Sequence, residues 1–394
     1  MVKKLYQNIY VYLIVLLLVA DFVTKMIVRL TDLQLNYYPS TIVKALLICF
    51  TLFFFLKLGD KKAWTYVVAI LVIFLLGLVF DPERQLSLGY INGKFYYFIR
   101  HLYFFLLIPI LANLSQETWK KIIKILIIFA KVNAIFIVLG LLFDINVFKS
   151  YPYTNRFGFN GLLPIQGAGT FYYIFVISIV YYKGFTEYRN FKKINRSTLL
   201  DFIILVVAAL LLGTKGAYLF LFLLLLADVF FRQERKRLVY FTVGSLTLLF
   251  VFFSEKIAIN MLKLMDLSTT IYTDNGLITV LLSYRDLLFI SAMEYIEINW
   301  NAINYLIGGT NFTILKVEIE LVDIFLFFGV VGIIIYLFFV KSYLFSKKEA
   351  ILNIILILIF FIGNFSGNFV SSISNTTFFA FSFLYLKNNF SFNK

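Results

Sequence analysis

Cysteine and histidine are almost absent from this chain of 394 residues. The one cysteine, Cys49, lies in an apolar run and has no second cysteine to pair with, so the fold uses no disulfide framework. One histidine, His101, and one cysteine also argue against a zinc site, which typically takes four protein ligands, or three and a water molecule. We therefore expect no metal and no cofactor, and we interpret His101 as a structural polar contact rather than a base.

Charge is scarce as well, and apolar residues dominate. Only 14% of the residues are charged and 61% are hydrophobic, including 48 Phe and 26 Tyr. Soluble domains are typically about 25% charged and about 45–50% apolar. No soluble domain, internal repeat or low-complexity linker is visible. The sequence predicts an all-α, polytopic integral membrane protein in which residues 1–394 form a single membrane domain.

The apolar runs predict about twelve transmembrane helices. A span must cross a hydrocarbon core of about 30 Å, and it must be helical because lipid offers no partners for open backbone groups. The first run follows Lys3 and Lys4 as in a signal peptide, but it lacks a small-residue cleavage site, so we interpret it as an uncleaved span. The predicted spans lie near residues 6–24, 41–57, 63–80, 95–114, 119–142, 167–182, 199–213, 215–231, 238–254, 322–340, 349–363 and 375–388.

The basic residues indicate how these spans are oriented. The net charge of +15 could suggest a nucleic-acid partner. However, Lys and Arg gather in short loops on one side, such as Lys57, Lys61 and Lys62, as the positive-inside rule requires. We therefore expect a multi-pass protein of the bacterial cytoplasmic (inner) membrane, with both termini cytoplasmic and no nucleic-acid partner. The polar stretch of residues 255–322 is then a large periplasmic or extracellular loop.

Residues 283–298 of that loop have the apolar spacing of a helix. The apolar stripe consists of Tyr284, Leu287, Leu288, Ser291, Ala292 and Tyr295. The charged residues off the stripe are Arg285, Asp286, Glu294 and Glu297. This pattern predicts an amphipathic helix that lies on the outer membrane interface.

Four cations near the predicted outer face are not explained by topology. Arg156 lies in a loop marked by Gly and Pro, and Lys215 lies in a short hinge between two spans. Arg285 belongs to the amphipathic helix, and Arg100 lies inside the fourth span. Structural roles are open for each of them: a solvated loop arginine, a lysine that reaches the interface, or a buried arginine with a polar partner. The functional alternative is that they bind a pyrophosphate, which arginine can hold through two parallel hydrogen bonds.

Three carboxylates, Glu318, Glu320 and Asp323, come just before a span that contains Gly329 and Gly332. Their spacing does not allow all three to share one helical face, so at most two converge on one site. Asp323 also suits the positive end of a helix dipole. A carboxylate can accept a proton from an attacking hydroxyl, and a cation cluster can stabilise a departing pyrophosphate in place of a metal. These residues are compatible with glycosyl transfer from a lipid pyrophosphate, but they do not distinguish it from other reactions.

Three segments, in order, resemble motifs of the O-antigen polymerase and ligase superfamily, which includes the Wzy-type surface-polysaccharide polymerases. The similarity covers residues 150–335 and departs in two places: the hinge has Lys215 where Arg is frequent, and a Gly-x-Gly is shortened to Gly308-Gly309. The similar segments are Asn155-Arg156-Phe-Gly158-Phe with Pro164; Gly213-Thr-Lys215-Gly-Ala217; and Ser283-Tyr-Arg285 followed by Ile307-Gly308-Gly309-Thr-Asn-Phe312, residues 318–323 and Phe328-Gly329-Val-Val-Gly332.

The resemblance implies a metal-independent glycosyltransferase. Such an enzyme polymerises polyprenyl-pyrophosphate-linked oligosaccharide repeat units into O-antigen, capsular polysaccharide or exopolysaccharide. Its implied partners are the lipid-linked oligosaccharide and the lipid bilayer, with a chain-length regulator protein as a candidate partner. The residues implied for pyrophosphate binding are Arg156, Lys215, Arg285 and Arg100. The implied catalytic carboxylates are Glu320 and Glu318, with Asp323 in support.

Two other functions stay open. A flippase of lipid-linked oligosaccharide would also use many helices and internal cations. It would, however, be expected to carry its charges in a central cavity and to show two repeated halves. A ligase of the same superfamily is generally marked by a histidine in the large outer loop, and residues 255–322 contain none. The sequence therefore favours a polymerase over a ligase.

Overall fold

The computed structural model describes most of the chain. The described residues are 2–31, 33, 35–83, 87–152, 156–232, 276, 278–280, 282–367 and 369–390. The predicted span at 238–254, and the part of the predicted 255–322 loop before residue 276, lie outside them. Apart from an isolated bridge between Lys149 and Phe159, the regular structure in these ranges is helical, which confirms the all-α class.

Thirteen α-helices and one short 3-10 helix are formed within the described ranges. The first eight are α1 (Val2–Leu30), α2 (Pro39–Leu58), α3 (Lys61–Val79), α4 (Leu88–Leu111), α5 (Gln116–Phe143), α6 (Gln166–Phe191), α7 (Arg196–Leu211) and α8 (Lys215–Arg232). The others are α9 (Arg285–Asn299), α10 (Ala302–Ile307), α11 (Glu320–Tyr343), α12 (Ala350–Ser366) and α13 (Ile373–Phe390), and the 3-10 helix is Asn146–Phe148.

The expected number of about twelve spans is wrong: six of the described helices are long and apolar enough to cross a membrane. They are Tyr6–Leu30 of α1, then α2, α3, α4, α5 and α11. The other predicted spans within the described ranges fall short for different reasons. Helices α7 and α12 have only 16 and 17 residues, whereas a span needs about 20. Helix α8 has three charged residues in 18, and α6 and α13 mix Tyr, Ser, Thr and Asn with apolar residues.

Local sequence explains where several helices begin and end. The Asp60 carboxylate accepts a hydrogen bond from the Ala63 amide at the start of α3, and the Ser115 hydroxyl accepts one from Thr118 at the start of α5. These side chains satisfy amides that the first helical turn leaves open. Helices α5 and α6 end at Asp144 and Lys192, both in the left-handed conformation, with φ of 50° and 53°.

Helix α6 lies at the centre of the bundle, where every residue from Ala168 to Tyr182 is buried. It contacts α5, α7, α8, α12 and α13, so no single apolar stripe is needed on its surface. Its buried tyrosines are hydrogen-bonded: the Tyr172 and Tyr173 hydroxyls donate to carbonyl oxygens of α5 at 2.7 and 3.0 Å. Pairing of this kind removes most of the penalty of burying a polar group.

Helix α11 is broken at Gly329, which has φ 66° and ψ −170°. The turn after α10 fits against this break. The Gly309 and Thr310 amides donate to the Phe327 and Leu326 carbonyls, each at 3.1 Å. A Cβ on Gly329 would lie 2.3 Å from the Leu306 backbone, so no larger residue fits. Gly308 and Gly309 therefore lie in a turn that packs directly against the break in α11 at Gly329.

The helix predicted at 283–298 is present as α9. Its packed face consists of Ala292 and Ile296, which contact Val317 and Leu326. Leu287, Leu288, Phe289 and Ile290 stay exposed on its first turns. The packed face is thus narrower than the predicted stripe, of which Ala292 is the one fully buried member.

Candidate functional site

The candidate site lies at one end of the bundle, which we call the site end. At this end α7 and α12 finish and α6, α8 and α11 begin. The connections between these helices come from distant parts of the chain: residues 156–165, 212–215, 282–284, 316–319 and 367–372. Arg156, Lys215 and Glu318 lie on these connections, and Arg285, Glu320 and Asp323 lie in the first turns of α9 and α11.

Two glycines bring the segments of Arg156 and Lys215 into direct contact. A Cβ on Gly213 would lie 2.1 Å from the Phe157 carbonyl oxygen, and a Cβ on Gly158 would lie 2.3 Å from the Leu212 carbonyl oxygen. The Phe159 amide also donates to the Leu211 carbonyl at 2.8 Å. The loop that carries Arg156 is therefore packed, backbone to backbone, on the hinge that precedes Lys215.

Buried polar side chains fix that loop from several sides. The Ser150 hydroxyl donates to the Leu212 carbonyl at 2.9 Å. The Lys25 ammonium of α1 donates to the Asn160 side-chain oxygen at 2.6 Å and to the Gly161 carbonyl. Lys25 is buried, so these bonds form where water does not compete with them. Sequence reasoning gave Lys25 no role, since it lies just after the first predicted span at 6–24.

Lys215 connects the hinge to the segment that leads into α9. Its ammonium donates to the Val280 carbonyl and, at 3.1 Å, to the Ser283 hydroxyl. Burial, together with the charges of Arg156 and Arg285, lowers the pKa of Lys215 to about 8. A cation lowers the pKa of another only from nearby. The three cations predicted from separate motifs are thus neighbours in space.

Arg156 is held by an aromatic ring. Its guanidinium lies over the ring of Tyr151, 4.1 Å from the ring centre, in the geometry of a cation–π interaction. Burial raises the pKa of Tyr151, the charge of Arg156 opposes this, and the neighbouring Tyr218 reinforces it. Tyr218 lies one turn after Lys215, so two tyrosines flank the cations.

Arg285 is mostly buried and faces a carboxylate from another segment. One of its terminal nitrogens lies 3.3 Å from an oxygen of Glu318 and 3.4 Å from the Ser366 carbonyl oxygen. Its side chain is 17% exposed, whereas that of Glu318 is 42% exposed. Lys316 approaches the second oxygen of Glu318 at 3.5 Å. Glu318 is therefore the accessible carboxylate beside the cation cluster.

Glu320 is buried and has another set of partners. Its two oxygens accept hydrogen bonds from three successive amides, those of Phe369, Val370 and Ser371, at 2.7, 3.1 and 3.2 Å. Successive backbone amides of this kind form an anion-binding concavity. The Glu320 carboxylate thus joins the start of α11 to the connection between α12 and α13.

Asp323 closes the turn that leads into α11. One of its oxygens accepts a hydrogen bond from the Val317 amide at 2.8 Å, and the side chain is buried. The contacts of Glu320 and Asp323 together position residues 317–319. Glu318 itself has φ 62°, a backbone conformation that a non-glycine residue adopts only when its surroundings stabilise it.

Arg100 stays apart from the other three cations. Its guanidinium lies over the Tyr96 ring, one turn away on α4, at 4.1 Å from the ring centre, and it donates to the Tyr96 hydroxyl. None of its hydrogen bonds or ring contacts among the described residues reaches Arg156, Lys215 or Arg285. The adjacent His101 is buried and shares a hydrogen bond with the Tyr336 hydroxyl, in line with a structural polar contact.

The site end thus carries three clustered cations, one accessible carboxylate and two flanking tyrosines. Within the described ranges, no group of three or more His, Cys, Asp and Glu side chains could hold a metal ion. No protein-family model, no curated protein and no solved structure matches this chain at a significant level. The fold and these contacts define the chain as an all-α membrane protein with a cationic cluster at one end of its bundle.

Proposed function

We propose that this protein is a glycosyltransferase that polymerises polyprenyl-pyrophosphate-linked repeat units into a surface polysaccharide such as O-antigen, capsule or exopolysaccharide. The observation that carries the proposal is the convergence of Arg156, Lys215 and Arg285 from three distant segments, through the contact of Gly158 with Leu212 and the hydrogen bond from Lys215 to Ser283. Such a cluster suits a ligand with several negative charges in a small volume, as in a pyrophosphate. The resemblance of the same segments to Wzy-type polymerases supports this reading.

In the proposed reaction, an acceptor hydroxyl oxygen attacks the anomeric carbon of the donor sugar. The bond between that carbon and the pyrophosphate oxygen breaks, and the pyrophosphate leaves with the bonding electrons. Arg156, Lys215 and Arg285 stabilise the negative charge that develops on it, a role in which preorganised donors contribute most. The three cations thereby stabilise the leaving group, a role that a divalent metal ion has in metal-dependent glycosyltransferases.

We assign proton transfer to Glu318. It accepts the proton of the attacking hydroxyl, because its carboxylate is 42% exposed and lies beside Arg285. Glu320 and Asp323 accept hydrogen bonds from backbone amides, and we assign them the positioning of residues 317–319. This division narrows the three carboxylates suggested by the sequence to one group that contacts substrate.

The proposed orientation places the site end outside the cytoplasmic membrane. The opposite end carries the basic connections, for example Lys57 and Lys61 between α2 and α3 and Lys120 at the start of α5. The positive-inside rule assigns such connections to the cytoplasm. The proposed substrates are then lipid-linked repeat units that have already reached the outer leaflet, and a chain-length regulator stays a candidate partner.

The test is polymer synthesis by the purified protein in lipid nanodiscs supplied with synthetic prenyl-pyrophosphate-linked repeat units. Wild type is expected to give a ladder of products, and Arg156→Ala, Lys215→Ala and Arg285→Ala to give single units. Lys120→Ala, which removes an exposed cation at the opposite end, is the matched control. Full-length polymer from all three site variants at normal protein levels contradicts the proposed site.

A cell-based arm separates a polymerase from a flippase. Loss of a polymerase leaves single repeat units exposed outside the cytoplasmic membrane, since transport across it continues. Loss of a flippase traps lipid-linked units inside. Accumulation inside would therefore overturn the proposed reaction even if the cations proved essential.

A further inference from the structure

A large apolar groove runs along the bundle between α6, α7 and α8. Its volume is about 560 Å³, within the usual 300–1,000 Å³ of small-molecule sites. Its walls are mainly aliphatic and aromatic, with Val180 and Phe185 from α6, Phe202 and Val206 from α7, and Leu221 and Leu225 from α8. No sequence pattern predicts this groove, since its lining residues are of the types found in any apolar helix.

The groove extends along the bundle from the cation cluster. Tyr218, one turn after Lys215, lines one end, and Asp228 lines the other. Ten residues of α8 separate them, or roughly 15 Å at the helical rise per residue. At the far end the Tyr181 hydroxyl donates to Asp228 at 2.9 Å. The shape is therefore long and narrow, with polar groups only near its ends.

The groove also opens to the outside of the bundle. Leu199 of α7 and Phe222 and Leu225 of α8 line it, and these side chains are 46%, 48% and 61% exposed. In a membrane protein such surfaces face lipid. A hydrocarbon chain can therefore enter sideways from the bilayer without passing through the polar site.

Tyr218 joins the groove to the cations. It lines the groove, it neighbours Tyr151, and the ring of Tyr151 supports the Arg156 guanidinium. A ligand that fits both regions has a long hydrocarbon chain and a compact, highly charged anionic head. A phospholipid diester offers one negative charge to three cations, whereas a prenyl pyrophosphate carries at least one on each of its two phosphates, both with the sugar attached and after the sugar has been transferred.

We propose that the groove between α6, α7 and α8 binds the prenyl chain of the pyrophosphate lipid donor, with its head group at Arg156, Lys215 and Arg285. This rests on the proposed function, because it takes the donor lipid to be the substrate of the same site. Packing of the chain against the groove walls adds contacts that the head group alone does not have, since a soluble pyrophosphate has nothing to place there. The groove thereby selects prenyl-linked donors over soluble pyrophosphates.

The test compares two adjacent valines of α7. Val206 lines the groove, whereas Val207 lies outside it and is 47% exposed. Binding of geranylgeranyl pyrophosphate and of inorganic pyrophosphate is measured by calorimetry on full-length protein in detergent. Val206→Trp is expected to weaken the binding of geranylgeranyl pyrophosphate at least tenfold and to leave the affinity for inorganic pyrophosphate unchanged. Val207→Trp is expected to change neither, and wild-type affinity of Val206→Trp for geranylgeranyl pyrophosphate overturns the groove assignment.

A second measurement needs no variant. A prenyl pyrophosphate with a photoreactive diazirine near the end of its chain is crosslinked to wild-type protein, and the labelled peptides are identified by mass spectrometry. Labelling within residues 180–228 supports the groove, and labelling confined to other helices overturns it. Loss of labelling in the presence of equimolar dioleoyl phosphatidylglycerol also overturns it, because a phospholipid acyl chain is then the occupant.

Failure of the groove and failure of the proposed function give different results. Suppose that Lys215→Ala and Arg285→Ala weaken the binding of both geranylgeranyl pyrophosphate and inorganic pyrophosphate, while Val206→Trp weakens the binding of neither. The cation site is then supported and the groove assignment is wrong. If Val206→Trp weakens the prenyl ligand as expected but wild type makes no polymer from lipid-linked units, the groove stands and the proposed reaction falls.

Discussion

Gly158 and Gly213 meet so closely that neither position has room for a side chain. A Cβ on Gly213 would lie 2.7 Å from the Cα of Gly158, besides its contact with the Phe157 carbonyl oxygen. Arg156 lies two residues before one glycine and Lys215 two residues after the other. The distance between these cations is therefore set by backbone contact rather than by flexible side chains.

Gly213→Ala tests this relationship. Gly213 has φ 68°, a conformation that is unfavourable for alanine by about 1–3 kcal/mol, and the new methyl group also clashes with Phe157. We expect a lower melting temperature in detergent and loss of polymer synthesis. Gly167→Ala is the control, because a Cβ at Gly167 meets nothing within 4 Å. Wild-type activity of Gly213→Ala would mean that the two cations need not be held together.

Glu318→Gln and Glu320→Gln are expected to separate chemistry from positioning. Glu320→Gln places an amide donor against three backbone amides, and loss of such buried bonds costs about 1–3 kcal/mol. Its melting temperature should fall. Glu318→Gln removes a half-exposed carboxylate, so its melting temperature should stay near wild type while the rate of polymerisation falls roughly 100-fold or more. Initial rates and thermal melts of both variants decide this, and an active Glu318→Gln would rule out Glu318 as the base.

The pH dependence of pyrophosphate binding should report the state of Lys215. Its pKa of about 8 is below the ordinary value of lysine, so the ammonium loses its proton as pH rises through about 8. Affinity for geranylgeranyl pyrophosphate should therefore be full below that pH and fall above it. Lys215→Arg keeps its charge in this range. Subtracting the Lys215→Arg curve from the wild-type curve removes the effect of the ligand's own ionisation on affinity. Superimposable curves would contradict the assignment of Lys215 to pyrophosphate binding.

Arg100→Ala is expected to have little effect on the reaction. The guanidinium lies on Tyr96 and makes none of its described contacts with the cation cluster. Polymer synthesis should remain within about twofold of wild type, whereas Arg285→Ala removes a charge-assisted contact to the ligand, a change of several kcal/mol in comparable buried sites. Equal losses of initial polymerisation rate in Arg100→Ala and Arg285→Ala would indicate that Arg100 also acts in the site.

The sequence predicted the helical class, but not which contacts each candidate site residue makes. Glycine and lysine at the hinge are visible in the chain, and so is their likeness to a known motif. That Glu320 binds amides 49 to 51 residues away depends on how the start of α11 packs against the connection between α12 and α13, which no local spacing records. The sequence therefore left Glu318 and Glu320 as alternative bases, with Asp323 in support, and only their partners distinguish the two.

The span count shows a different limit. Apolar runs predicted about twelve crossings, and the alternation of short basic connections supported that count. Apolar length is a separate requirement, and α7, with 16 residues, does not meet it. The groove beside α7 was also unpredictable, since an empty space between helices leaves no mark on the composition of its walls.

The interruption of α11 at Gly329 has a mechanical consequence. A continuous helix is a stiff rod, so a displacement at Glu320 would carry through to Tyr343. A helix interrupted at one glycine bends there at low energy. Residues 320–328 are instead held by the turn after α10 and by the amides that bind Glu320. A displacement of residues 330–343 in the bundle would therefore be absorbed at Gly329 and would leave the pair of Glu318 and Arg285 in place.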